Sequence, residues 1–269
     1  METTQQPHFI IIDGSYYIFF RYYAITSWMK LAKKEENIDE PIENKLFVDK
    51  FKSTFVSKLR ELQKKLKIKN GIMLVCKDCP RKNIWRMKHL PTYKGNRVYD
   101  NFKGGPFFKI VWDEELFVKG GCKKVFKYPT LEADDCAAIL CKDIQKKYPE
   151  GKITVITSDM DYLQLANDNV ELYDLKYRKL TERKSSYNDA EKDLFIKIVT
   201  GDKSDNIPGV FKKCGPKTAC KYYADKDLFN KQIEKEVAME RYLLNKKMID
   251  FNEIPEELVS AFKEEYSIF

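Results

Sequence analysis

A chain of 269 residues can bury enough core for one large α/β domain with an appended module, and 33% charged against 43% hydrophobic residues describe a folded protein. No apolar run approaches the roughly 20 residues of a membrane span and the N-terminus has no signal-peptide pattern, so work inside a bacterial cell or an infected host cell is expected. The net charge of +8 points to a polyanionic partner wherever basic residues cluster, while seven scattered cysteines fit free thiols better than a disulfide framework.

The first apolar run, His8 to Ile12, reads as a buried parallel strand that ends on Asp13-Gly14. An aromatic-rich helix over 15–28 follows, with Arg21 two turns in. After a charged loop over 33–44, Phe47, Phe51, Phe55, Leu59, Leu62 and Leu66 recur at helical spacing, which predicts a helix over 46–66. Residues 71–76 form a second buried strand, with Asp78 just beyond it. Cys76 and Cys79 make a lone CxxC without a second pair, so ordinary thiols are expected there, not zinc.

From 81 to 105 the character changes: Arg81, Lys82, Arg86, Lys88, Lys94, Arg97 and Lys103 alternate with Trp85, His89, Tyr93, Tyr99 and Phe102, against the single acid Asp100. Phosphates take the charge of such a stretch and bases stack on its rings, as single-stranded nucleic acid requires. Pro91, Gly95 and Gly104-Gly105 predict a mobile loop or arch. A helix over 107–119 and a strand over 123–128 lead into Leu131-Glu132-Ala133-Asp134-Asp135. With Thr130 as cap, Glu132 and Asp135 would share one face of the next helix, which runs to Tyr148.

One or two acids would suit any helix N-terminus. More carboxylates brought together would raise each other's pKa unless cations lie between them, so a convergent cluster implies divalent metal. The chain supplies them. A strand over 152–157 runs into Asp159 and Asp161, and ligands of open α/β sheets bind beyond the carboxyl ends of strands. Asp13, Asp78, Asp159 and Asp161 would therefore face one crevice. A short helix over 162–167, a strand over 170–173 and a basic loop over 177–184 follow. A helix over 190–200 gives way to the turn residues 201–210, and Gly215-Pro216 opens another helix whose free N–H groups could meet a phosphate, ringed by Lys212, Lys213, Lys217 and Lys221.

The motifs Ile12-Asp13-Gly14, residues 91–97, Leu131 to Asp135, Thr157 to Leu165 and Gly201 to Val210 occur in an order that resembles the 5′-nuclease family of flap endonucleases, in its bacterial and phage form. The resemblance implies a PIN-like α/β core, a mainly parallel twisted sheet flanked by helices, over 1–185 with a helical arch at about 81–105. A helix-hairpin-helix module at about 200–224 and the C-terminal helices would occupy 186–269. It implies metal ligands at Asp13, Asp78, Glu132, Asp134, Asp135, Asp159, Asp161, Asp202 and Asp205, binding two or more Mg²⁺ or Mn²⁺ ions. It places Lys94 and Arg97 at the scissile phosphate, with Tyr93 beside them to stack on a base. Arg21, Arg81, Lys82, Arg86, Lys88, Lys212, Lys213, Lys217 and Lys221 would contact DNA. The family's hairpin often binds K⁺ through backbone carbonyls, but here Lys212 and Lys213 lengthen the loop and replace its first glycine.

The expected activity is metal-dependent 5′-3′ exonuclease and flap endonuclease action on DNA with a 5′ flap, a 5′ end or a strand junction, by a monomer. Alternatives are removal of RNA primers from RNA–DNA hybrids, or a non-catalytic replication accessory that binds branched DNA. A PIN-type ribonuclease would lack the helix-hairpin corner and basic arch. With no polymerase domain in the sequence, a free-standing nuclease is expected.

Overall fold

The computed structural model describes residues 6–97 and 101–266, so Tyr99 and Asp100 of the basic stretch lie outside the described residues. Strands β1 (His8–Asp13), β2 (Ile72–Cys76), β3 (Lys124–Phe126), β4 (Lys152–Ile156) and β5 (Val170–Tyr173) form one sheet in the order β3-β2-β1-β4-β5. Every pairing is parallel. Successive side chains point to opposite faces: Ile10, Ile12, Met73 and Val75 enter one core, Phe9, Ile11, Leu74 and Cys76 the other. Burial on both faces explains why these strands read as continuous apolar runs.

The first face is covered by α1 (Gly14–Ala32), α2 (Lys45–Arg60), α3 (Leu62–Lys65), α4 (Gly105–Asp113) and α5 (Leu116–Lys119). Phe47, Phe51, Phe55 and Leu59 repeat every four residues along α2 and are wholly buried, so the aromatic stripe is core. The helix expected over 46–66 breaks at Glu61, and that over 107–119 breaks where Glu115 takes a left-handed φ of 52°. Helix α6 (Ala133–Lys147) covers the second face. Where a short helix was expected over 162–167, Met160–Leu165 form a 3-10 run.

Helices α7 (Ala190–Thr200), α8 (Pro216–Ala224), α9 (Lys226–Lys235) and α10 (Met239–Ile249) follow; residues of these elements and of the corner build a separate small core around Val199, Phe211, Tyr222 and Phe229. The last helix, α11 (Glu256–Tyr266), does not stay with them. Phe251, Ile254 and Phe262 enter the same core as β1 and β4, so residues beyond about 250, placed at sequence level with the helical module of 186–269, pack on the α/β body. Among the described residues no helix is long and apolar enough to cross a membrane.

The strand order reverses between β1 and β4, which opens a crevice at their carboxyl ends. Asp13 ends β1, Asp78 follows β2, and Asp159 follows β4.

Phe262 is fully buried, with its ring 6.1 Å from Phe126 and 5.0 Å from Tyr266. Phe262→Ala is expected to destabilise the whole α/β body by about 3–5 kcal/mol in urea unfolding. A loss under about 1 kcal/mol would show that α11 is not integral to it.

Candidate metal centre and nucleic-acid interface

Backbone N–H groups at the starts of helices hold several of the acids in place. Asp13 caps α1, accepting the Tyr16 N–H at 3.0 Å, while the Thr157 hydroxyl donates to its other oxygen at 3.2 Å. Asp78 accepts the Ala133 N–H at 2.8 Å and the Ser15 hydroxyl at 2.5 Å, which ties it to the starts of α6 and α1. The N-cap of α6 is Glu132, not Thr130, and its N–H donates to Asp135 at 3.0 Å. Asp159 starts the 3-10 run by accepting the Asp161 N–H at 2.9 Å.

The corner after α7 turns at Gly201, whose φ of 71° favours glycine and whose added Cβ would meet the Pro208 carbonyl oxygen at 2.6 Å. Paired backbone bonds between Asp202 and Ile207, 2.8 and 2.9 Å, close the loop that presents Asp202 and Asp205. Carboxylate oxygens of Glu132, Asp134 and Asp135 lie within 4.8 Å of one another, as do those of Asp161, Asp202 and Asp205.

These acids divide by how they are neutralised. Burial would raise the pKa of Glu132, but Lys94 and Arg86, 3.1 Å away, outweigh it and hold the group low. Asp202 is likewise held at about 2, burial being overcome by Lys197 at 2.8 Å and by two bonds from Ser204. Asp13, Asp78 and Asp134 are not so compensated. Burial, then repulsion from Asp78, pushes Asp13 up to about 7, and burial with Glu132 and Asp135 pushes Asp134 well above the carboxylate range. Asp78 opens to solvent through the cleft, yet enough protein surrounds it that desolvation raises its pKa too. These three line one cavity of about 340 Å³ with Glu132, Asp159, Lys94 and Arg97. Oxygen donors crowded and repelling in this way suit a hard divalent cation.

Several expected site residues have other surroundings. Asp135 is fully buried; both its oxygens accept from Arg86, at 2.7 and 2.9 Å, and one also from the Trp85 indole at 3.0 Å. It therefore positions α6 against the basic segment instead of facing the cleft. Arg86, expected on DNA, is 1% exposed and also donates to the Met248 carbonyl at 2.8 Å. Tyr93, expected to stack on a base, is buried, and its hydroxyl bridges Glu132 and Asp205 at 3.1 Å each. Arg21 is buried, its guanidinium 4.8 Å above the Phe20 ring, and does not line the cleft.

The remaining basic residues fall into two groups. Lys94 pairs with Glu132 and Arg97 with Asp205, so both sit among the acids. Lys94 has a left-handed φ of 54°, held by its N–H donating to the Asp205 carbonyl at 2.8 Å. Arg81, Lys82, Lys88, Lys212, Lys213, Lys217 and Lys221 are exposed. The segment expected as a loose arch is, over its described part, a series of tight turns with Trp85, Arg86 and Tyr93 inside. Lys197, which pairs with Asp161 and Asp202, was not foreseen, because nothing in the sequence of α7 marks it.

A parallel sheet whose carboxyl edge gathers carboxylates under a basic segment defines a metal-dependent nuclease. The chain belongs to the 5′-3′ exonuclease family: the family described as "5′-3′ exonuclease, N-terminal resolvase-like domain" matches residues 8–192. The flap endonuclease of Escherichia phage T5 is 29% identical over 212 residues, covering 68% of this chain and 71% of its own. Ribonuclease H of Enterobacteria phage T4 is 28% identical over 224 residues, covering 73% and 70%. The phage T5 flap endonuclease in a pseudo-enzyme-product complex with DNA and metal ions superposes with a TM-score of 0.68 at 21% identity, over 97% of this chain and 98% of that one.

Two outcomes follow from the charge balance. The folded pKa of Asp13, about 7, lies above its ordinary 3.8, so its contribution to metal-free stability is present below pH 3.8 and lost as pH rises through about 7. Asp13→Asn is expected to raise the melting temperature in EDTA more at pH 8 than at pH 5, and equal shifts would contradict the raised pKa. Arg86→Met would leave Asp135 and Glu132 buried without their partner, at a cost of about 3–5 kcal/mol in denaturant unfolding; an unchanged midpoint would refute that role.

Proposed function

We propose that this chain is a Mg²⁺- or Mn²⁺-dependent 5′-nuclease that hydrolyses phosphodiester bonds of DNA near the junction of a 5′ flap, or from a 5′ end, in replication or repair. The observation that carries the reading is the uncompensated set Asp13, Asp78 and Asp134 in one cleft, with Lys94 and Arg97 at its rim. Asp13, Asp78, Glu132 and Asp134 would hold one ion, and Asp159, Asp161, Asp202 and Asp205 another. Such ions, when bound, supply the charge that activates water and stabilises the departing oxygen.

The protein's own part is orientation and charge. Lys94 and Arg97 now satisfy Glu132 and Asp205, and ions taken up by those acids would free both cations for the scissile phosphate. Tyr93 keeps Glu132 and Asp205 at a fixed separation. Exposed Lys212, Lys213, Lys217 and Lys221 beside the corner suit the phosphates of a duplex, read without sequence preference. The lengthened loop at Lys212 and Lys213 makes no case for K⁺. Cysteines without disulfides, found throughout the described chain, agree with an intracellular, reducing setting.

A second substrate, the RNA strand of an RNA–DNA hybrid, is favoured by one observation: a relative matched over 73% of this chain is a ribonuclease H.

The test is a labelled 5′-flap substrate with Mg²⁺ or EDTA, products resolved by length, alongside the same flap in RNA. Metal-dependent cuts within a nucleotide or two of the junction are expected. Tight binding with no product under either ion would favour a DNA-binding accessory. Lys94→Ala should lower the single-turnover rate by about 10²–10³ while changing duplex affinity far less; an effect on affinity alone would remove Lys94 from the scissile phosphate.

A further inference from the structure

Beside the carboxylate cleft lies a second cavity, of about 540 Å³, large enough for a nucleotide-sized ligand. The two share a wall made by Ser15 and Asp78, so whatever enters one adjoins the other. Asp78 turns its oxygens to the Ser15 hydroxyl and the Ala133 N–H, and aromatic and basic side chains make up much of the rest of the second cavity. Phe108, Trp112 and Tyr128 line it, all partly exposed, and Lys77 and Lys127 reach into it.

Trp112 is held in place. Its ring stacks on Phe117 at 5.1 Å and 27°, and its edge packs so closely on α1 that a Cβ at Gly14 would come within 2.9 Å. The Lys77 ammonium lies 4.7 Å from the Trp112 ring centre. Glu265 stands exposed at the rim. Two lysines beside aromatic walls suit an anion carrying a flat ring.

Position narrows the choice. The acids run from Asp78 and Glu132, which line one cleft, through the Tyr93 hydroxyl to Asp205 and Asp202. The lysine-rich corner beside Asp202 lies at one end of this run, the cavity beside Asp78 at the other. If duplex is held at the corner, the strand leaving the cleft on the far side reaches the cavity first. We propose that this cavity is a subsite for one unpaired nucleotide of the strand being cut, its base against Phe108, Trp112 and Tyr128 and its phosphate at Lys77 and Lys127. The proposal deepens the nuclease reading and rests on it for the identity of the strand.

The test uses the full chain in EDTA, where no cutting occurs, with a DNA flap carrying 2-aminopurine at the unpaired nucleotide next to the junction. Binding is expected to quench this base, as stacking on an aromatic ring does. A 2-aminopurine several nucleotides into the duplex should not change. Trp112→Leu is expected to remove the quench, and Lys77→Ala/Lys127→Ala, which leaves the rings in place, to weaken flap binding at least about fivefold relative to flapless duplex. Quenching that persists in Trp112→Leu, or none in the native protein, overturns the subsite whatever the cleavage assay shows. Quenching with no metal-dependent cleavage would keep the subsite and overturn the nuclease.

Discussion

Repulsion between carboxylates is the constraint on which the rest of the structure depends. Parallel pairing delivers the end of β1 and the loops after β2 and β4 to one edge, and the N-terminus of α6 brings Glu132 and Asp134 to the same place. Like charges this close destabilise the fold unless they are protonated or neutralised. The protein neutralises some of them with its own lysines and arginines and leaves Asp13, Asp78 and Asp134 less than balanced, their carboxyls pushed up by burial and neighbouring acids. The uncompensated part is where an added cation gains most.

The same electrostatics join the parts of the molecule. Arg86 ties the basic segment to α6 through Asp135 and to the end of α10 through the Met248 carbonyl. Lys94 and Arg97 tie that segment to the corner through Asp205. A small apolar cluster of Cys79, Ile84, Tyr93, Ile207 and Met248 fills the space beneath these pairs. Residues of the helical module thus complete a site whose other acids belong to the sheet. A buried arginine with a bidentate partner is costly to break, so Arg86 and Asp135 hold the basic segment in place from inside, away from the cleft.

The sheet strands were legible because burial on both faces makes each a short, unbroken apolar run, and the acids were legible from their place at the ends: Asp13 closes the first run, and Asp78 and Asp159 stand two and three residues past the ends of β2 and β4. The stripe of Phe47, Phe51 and Phe55 gave α2 away through its spacing. Arg86 and Tyr93 were misjudged because composition alone cannot tell a basic or aromatic side chain facing solvent from one turned inward. Local patterns carry periodicity and turn chemistry, whereas the direction of an irregular segment depends on partners far along the chain.

Sequence by itself determined the α/β class, the strands, the acids at their ends and the family resemblance, since each is encoded within a few consecutive residues. Only the tertiary structure decided which acids are already paired, that Asp135 faces Arg86 instead of the cleft, that Lys197 enters the site, and that α11 returns to the sheet. Those outcomes depend on contacts between residues tens to more than a hundred and fifty positions apart, such as Arg86 with Met248 and Phe126 with Phe262. Such distances leave no periodic trace in the chain, and burial and charge balance exist only once they are closed.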